Sequence, residues 1–234
     1  LPHIERVDLH DAYKRKTMRG HFSATLIDAI QKALDQKKQA IIFQNRRGYV
    51  PVWQCETCSW VPECEHCDVS LTYHKQMHQL RCHYCGRHYP PPTTCGNCNS
   101  PRLRMLGLGT EKIEEELTEL FPDIRVARMD QDTTRGKNAL ENILSDFGQG
   151  KVQILVGTQM VTKGLDFDHV SVVGILNADT IMRYPDFRAH ERAFQLMAQV
   201  AGRSGRRGDA GTVIIQAQEV HHEILDLVSR HDTD

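Results

Sequence analysis

The chain has 234 residues, 40% of them hydrophobic and 25% charged, with a formal net charge of −1. This fits a globular protein of one large or two small domains, and it offers no bulk positive charge for gripping nucleic acid. No run of about 20 apolar residues is present, which excludes a membrane-spanning helix, and the N-terminal LPHIERVDLHDAYKRK lacks the apolar core of a secretory signal. The chain starts without Met and is expected to be a segment of a longer protein.

Residues 22–38 place Leu26, Ile27, Ile30, Ala33 and Leu34 at helical spacing, with Ser23 or Thr25 available as the cap. QAIIFQN (39–45) reads as a buried strand that ends at Asn45, Arg46, Arg47 and Gly48. A cysteine block follows from about 51 to 101, flanked by the turn signals Pro90-Pro91-Pro92 and Asn99-Ser100-Pro101. LRMLGLG (103–109) predicts a short strand and a Gly turn. Residues 111–121 predict a helix, acidic in its first turn as the helix dipole favours. Then come a strand over 124–130, a helix from Lys137 to Phe147 ended by Gly148, and strands over 152–158 and 170–179. A helix from Arg188 to Ala201, a strand over 211–218 and a helix from His221 to Arg230 complete the chain. The strands are nearly continuous apolar runs alternating with helices, the pattern of a parallel sheet covered on both faces. The expected fold is α/β, a RecA-like lobe, with the cysteine module inserted near its start. The expected units are residues 1–50 (linker, helix and first strand of the lobe), 51–102 (insertion) and 103–234 (remainder of the lobe).

All eight cysteines fall in C-x-x-C pairs: Cys55/Cys58, Cys64/Cys67, Cys82/Cys85 and Cys95/Cys98. Such a turn points two sulfurs the same way, and two turns supply the four thiolates of a tetrahedral zinc site. Four disulfides are the rival use; the local spacing and the α/β remainder favour zinc. Nested and interleaved pairings of the turns are both open. The inner nested set reads C-x2-C-x14-C-x2-C, near zinc-ribbon spacing, and favours nesting. Nesting makes Cys55, Cys58, Cys95 and Cys98 one site and Cys64, Cys67, Cys82 and Cys85 the other. His66 and His83 read as turn histidines. Between residues 51 and 106 the charged side chains and two Cys₄ zinc ions sum to about −3, which disfavours a sequence-independent grip on phosphates. Trp53, Trp60, Tyr73, Tyr84 and Tyr89 could pack the module, stack on bases or face a protein partner.

QVAGRSGR (199–206) puts Arg203 and Arg206 three residues apart on a Gly-rich turn, suited to stabilising charge on a transferring γ-phosphoryl group. GTQMVTKGLDF (157–167) follows an apolar strand, at the strand end where phosphates are commonly bound. There Thr158, Gln159 and Lys163 suit a nucleic-acid backbone, and Gly164 and Asp166 a nucleotide.

Together these segments resemble the second RecA-like lobe of superfamily 2 helicases. NRRGY (45–49) looks like motif IV, GLGTEKIEEE (107–116) like an extra motif, GTQMVTKGLDF like motif V and QVAGRSGR like motif VI. With four C-x-x-C pairs between motif IV and the extra motif, the chain resembles the replication-restart DNA helicases over nearly its whole length. The resemblance implies a 3′→5′ ATP-dependent DNA helicase acting at stalled forks or D-loops to start primosome assembly. It implies ATP and Mg²⁺ as well as two Zn²⁺, and a site in which Gln199, Arg203 and Arg206 are catalytic. Asn45, Arg46, Arg47 and Thr110 join Thr158, Gln159 and Lys163 in contacting DNA. The implied partners are forked and single-stranded DNA, a first helicase lobe, and other primosome and single-strand-binding proteins, in the bacterial cytoplasm and without a membrane. No G-x-x-x-x-G-K-[ST] phosphate loop and no Asp-Glu-x-His magnesium motif occurs in the chain, so by itself it is expected not to hydrolyse ATP. The alternative is a non-catalytic zinc-binding adaptor built on a helicase-like lobe.

Overall fold

The computed structural model describes residues 2–44, 51–58, 60–67, 69–74, 77–82, 84–107, 109–130, 133–158, 161, 168–179 and 211–230. Six strands form one parallel sheet: β1 (His3–Asp8), β4 (Gln39–Phe43), β10 (Val126–Met129), β11 (Ile154–Gly157), β12 (Val170–Ile175) and β13 (Thr212–Ala217), in the order β1-β13-β12-β4-β11-β10. Because side chains alternate along a strand, each apolar run feeds two cores. Ile41 and Phe43 of β4, Leu155 of β11, Val173 and Ile175 of β12 and Val213 and Ile215 of β13 share one face. Ala40 and Ile42, Ile154 and Val156, Val172 and Ile214 share the other.

Helices cover both faces, each through an amphipathic stripe. On the second face lie α2 (Ala24–Asp35), through Leu26, Ile30 and Ala33, and α3 (Thr110–Leu120), through Ile113 and Leu117. On the first lie α4 (Ala139–Gly148), through Phe147, and α5 (Glu223–Arg230), through Ile224, Leu225 and Val228. Ser23 is the cap of α2, its hydroxyl accepting from Leu26 N at 3.2 Å. Gly148 lies inside α4 rather than ending it: the helix closes at Gln149, whose N–H donates to Ser145 O at 2.9 Å. The helix expected over 188–201 lies outside the described residues.

Two differences from expectation bear on the site. The first is at the N-terminus, expected to hold a linker. There His3–Asp8 is the edge strand β1, paired with Thr212–Ala217, and it leads into α1 (Leu9–Lys14), which Asp8 caps. The second concerns residues 103–107, assigned to the lobe from their apolar pattern. They form β9 (Leu103–Gly107), antiparallel to β5 (Pro51–Cys55) in a two-stranded ribbon outside the main sheet. The two ends of the cysteine segment are thus joined in a ribbon, which forms its neck. Beyond the neck lies a small sheet of β6 (Thr72–His74), β7 (Gln79–Arg81) and β8 (His88–Tyr89). A further hairpin, β2 (Met18–Arg19) with β3 (Phe22–Ser23), precedes α2.

Candidate functional site: a double cysteine centre and the carboxyl edge of the sheet

The eight cysteines separate into two groups nested along the chain: Cys55, Cys58, Cys95 and Cys98, and Cys64, Cys67, Cys82 and Cys85. Within each, the four sulfurs lie within 4.8 Å of one another. The Sγ–Sγ separations are 3.6 Å for Cys55–Cys98, 3.5 Å for Cys58–Cys95 and 3.7 Å for Cys64–Cys85. A tetrahedron with Zn–S bonds of about 2.3 Å has edges of about 3.8 Å, whereas a disulfide needs about 2.05 Å. The sulfurs therefore fit an ion between them and not bonds to each other.

The local fold supplies donors that favour thiolates. Thr57 N donates to Cys55 Sγ at 3.3 Å, Asn97 N and Cys98 N donate to Cys95 Sγ at 3.3 and 3.4 Å, and Cys85 N donates to Cys82 Sγ at 3.5 Å. Burial raises the Cys55 thiol, but the N–H groups of Cys58 and Thr57 outweigh it and bring the group down to about 7. At Cys64 burial is outweighed by the Tyr89 hydroxyl and the His66 N–H, and the group falls to about 6. Without an ion the charge is shared unevenly, since burial and the neighbouring sulfurs push Cys67 up to about 12. A bound dication removes this conflict by favouring four thiolates at once.

Aromatic residues pack this centre. Trp60 lies on Gly96, where an added Cβ would come 2.6 Å from the indole, so a larger residue at this knuckle position would displace the ring. Trp53 meets Tyr73 edge-on, with ring centroids 5.9 Å apart. Tyr89 hydrogen-bonds Cys64 at 3.3 Å. Tyr84 differs: on the inner knuckle, it is 65% exposed.

The second constellation lies at the carboxyl ends of β4, β11 and β10, the edge where open α/β sheets bind ligands. Gln44 N donates to Gly157 O at 2.9 Å, and Gly157 pairs with Met129, so Gln44, Thr158 and Asp130 follow one another across three strands. Thr158 is buried, and its hydroxyl has no hydrogen-bond partner among the described residues. Thr110 is also buried, but its hydroxyl is engaged: it donates to Asp130 Oδ2 at 2.5 Å. Asp130 further accepts from Thr133 N at 3.0 Å and lies 3.3 Å from Arg128 Nε. What α3 offers here is its backbone. Gly109 caps it without a side chain, and the first amide bonded within the helix is Ile113 N, to Gly109 O at 3.1 Å. Nearby, Asp179 accepts from Gln218 N at 2.7 Å and Glu219 N at 3.1 Å, fixing where the chain leaves β12.

Asn45, Arg46, Arg47, Gln159, Lys163, Gly164, Asp166, Gln199, Arg203 and Arg206 lie outside the described residues. Gln44 and Thr158, which directly precede Asn45 and Gln159, sit together on the carboxyl edge. Asp130 and Arg128 did not stand out in the sequence; the signal was a carboxylate at the end of the predicted strand.

Comparison with known proteins defines the class first. Residues 100–208 match the model of the helicase conserved C-terminal domain, and residues 64–90 match that of the PriA DNA helicase Cys-rich region. The fold is thus a RecA-like helicase lobe with an inserted cysteine-rich zinc module. The sequence is 46% identical over 232 residues to replication restart protein PriA of Bacillus subtilis (strain 168), covering 99% of this chain and 29% of the relative. To the PriA of Synechocystis sp. it is 42% identical (99% of this chain, 28% of the relative), and to that of Haemophilus influenzae 43% (91% and 29%). The chain belongs to the PriA family. It spans well under a third of the length of these three relatives. Among the described residues, no helix is long and apolar enough to cross a membrane.

Proposed function

We propose that the chain is the second motor lobe of an ATP-dependent 3′→5′ DNA helicase that acts at stalled forks or D-loops and starts primosome assembly. The observation that carries this reading is the match to PriA of Bacillus subtilis over 99% of the chain, with the cysteine-rich and helicase regions in the same order. The eight cysteines hold two Zn²⁺ as structural ions. ATP with Mg²⁺, when bound against a partner lobe, supplies the phosphoryl transfer that drives the cycle.

In that cycle Arg203 and Arg206 would stabilise charge on the γ-phosphoryl group, Gln199 would assist them, and Gly164 and Asp166 would bind the nucleotide. The first amides of α3, the Thr158 hydroxyl and Gln159 bind successive backbone phosphates, while Asn45, Arg46, Arg47 and Lys163 add charge. Thr110 serves through its place at the helix start, because its hydroxyl belongs to Asp130. Closure of the lobes on nucleotide then becomes movement along one strand. Single-strand-binding and primosome proteins are the partners this role requires.

The test is strand displacement by the Bacillus subtilis relative with this chain exchanged for the matched segment. ATP-dependent unwinding of a fork from its 3′ arm supports the proposal. A folded, zinc-loaded exchange protein that binds forks but neither hydrolyses ATP nor unwinds them favours the adaptor instead.

A further inference from the structure

The neck of the cysteine module has two faces, and each is held by a tyrosine. In the β5–β9 ribbon Gln54 pairs with Arg104 and Trp53 with Met105. Successive residues of a strand point to opposite sides, so Gln54 and Arg104 share one face and Trp53 belongs to the other. The Trp53 side meets Tyr73 of β6, inside the module. The Gln54 and Arg104 side meets Tyr13 of α1, which belongs to the lobe. Tyr13 Oη donates to Gln54 Oε1 at 3.3 Å, and the Arg104 guanidinium carbon stands 6.0 Å from the centre of the Tyr13 ring.

Tyr13 is itself anchored. It stands on α1, directly after the edge strand β1, and its hydroxyl also lies 3.5 Å from Gly20 O in the turn between β2 and β3. That turn is fixed to α3: His21 N donates to Glu116 Oε2 at 3.0 Å, and His21 Nδ1 lies 2.8 Å from Glu116 Oε1. Burial pushes the Tyr13 phenol above its ordinary value, against the lowering effect of Arg104, so it stays a neutral donor at physiological pH. One phenol thus joins the neck, α1 and the α3-anchored hairpin.

We propose that Tyr13 is a positioning residue, the latch that sets the angle of the zinc module on the lobe by holding Gln54 and Arg104 of the neck. Zinc would stiffen the module internally, and in the outer group it would close the ribbon at Cys55, but neither group takes a ligand from the lobe, so neither fixes the direction of the neck. The latch does. It therefore decides where the exposed Tyr84 of the inner knuckle points relative to the carboxyl edge of the sheet. This holds whether or not the lobe is part of a motor.

The test is orientation. Residual dipolar couplings are measured on the zinc-loaded chain for amides of the six-stranded sheet and of the module. In the parent, both sets fit one alignment tensor. In Tyr13→Ala they no longer share one, while zinc content and melting of the sheet stay as in the parent. Tyr13→Phe keeps the ring under Arg104 and gives an intermediate result. If Tyr13→Ala does not fold, the double variant Gln54→Ala/Arg104→Gln, which leaves α1 intact, is used in its place. A folded variant lacking these contacts whose two parts still share the parent tensor overturns the proposal.

Discussion

The hydroxyl of Thr110 donates to the carboxylate of Asp130 across 2.5 Å, between two side chains that solvent does not reach. The bond ties the first residue of α3 to the end of β10. Thr110→Val leaves a buried carboxylate one donor short and is expected to lower the unfolding free energy by about 1–3 kcal/mol. Thr110→Ser is expected to retain most of the stability. Urea unfolding measures both; a Val variant as stable as the parent shows that the bond contributes little.

The nested cysteine groups predict how zinc is lost. Cys82→Ser is expected to reduce two zinc ions per chain to one, leaving the outer group and the neck ordered. Cys95→Ser is expected to remove the other ion and to loosen the ribbon, because Cys55 of that group ends β5. Native mass spectrometry counts the ions, and hydrogen exchange of residues 51–55 and 103–107 reports on the ribbon. Four disulfides and no zinc in the reduced-purified chain would contradict the assignment.

Glu116 gives stability a pH dependence of known sign. Burial raises its carboxyl, but the hydrogen bonds and charge from His21, helped by Lys112, outweigh this and hold it below its ordinary 4.5. A depressed folded value stabilises above the unfolded value and ceases to as pH falls through the folded one. The stability gap between the parent and Glu116→Gln should shrink as pH falls below the ordinary carboxylate range. A gap that does not change between pH 7 and 3 contradicts the pairing.

Gly20 sits between the latch and that pair. Its φ is +59°, and an added Cβ would lie 2.6 Å from the Glu116 carboxylate. Gly20→Ala is expected to cost about 1–3 kcal/mol by strain and crowding together. Shortening the neighbour, in Gly20→Ala/Glu116→Ala, relieves the crowding but not the strain. Thermal melting of Gly20→Ala, Glu116→Ala and the double variant separates the two, because Glu116→Ala alone reports the loss of the His21 pair.

What the sequence revealed was local. QAIIF reads as a strand because all five residues are buried between two helical layers, and the knuckles read as metal turns because four consecutive residues set their geometry. What stayed hidden depends on distant partners. His3–Asp8 exposes His3 and Glu5 on the sheet edge, so it lacks an apolar run, and its partner lies at Thr212–Ala217. LRMLG looks like any lobe strand until its partner proves to be Pro51–Cys55. Asp130 with Thr110 and Glu116 with His21 are pairs 20 and 95 residues apart, and no local pattern announces them.

The most direct measurement of the motor assignment is DNA-stimulated ATP hydrolysis, compared between the chain alone and the Bacillus subtilis relative carrying this chain in place of its own segment. The account predicts no turnover above background for the chain alone. It predicts DNA-stimulated turnover in the exchange protein, reduced on the order of 10³-fold by Arg203→Ala. Robust hydrolysis by the chain alone, lost on Arg203→Ala, would contradict it, as would an exchange protein whose turnover ignores that substitution.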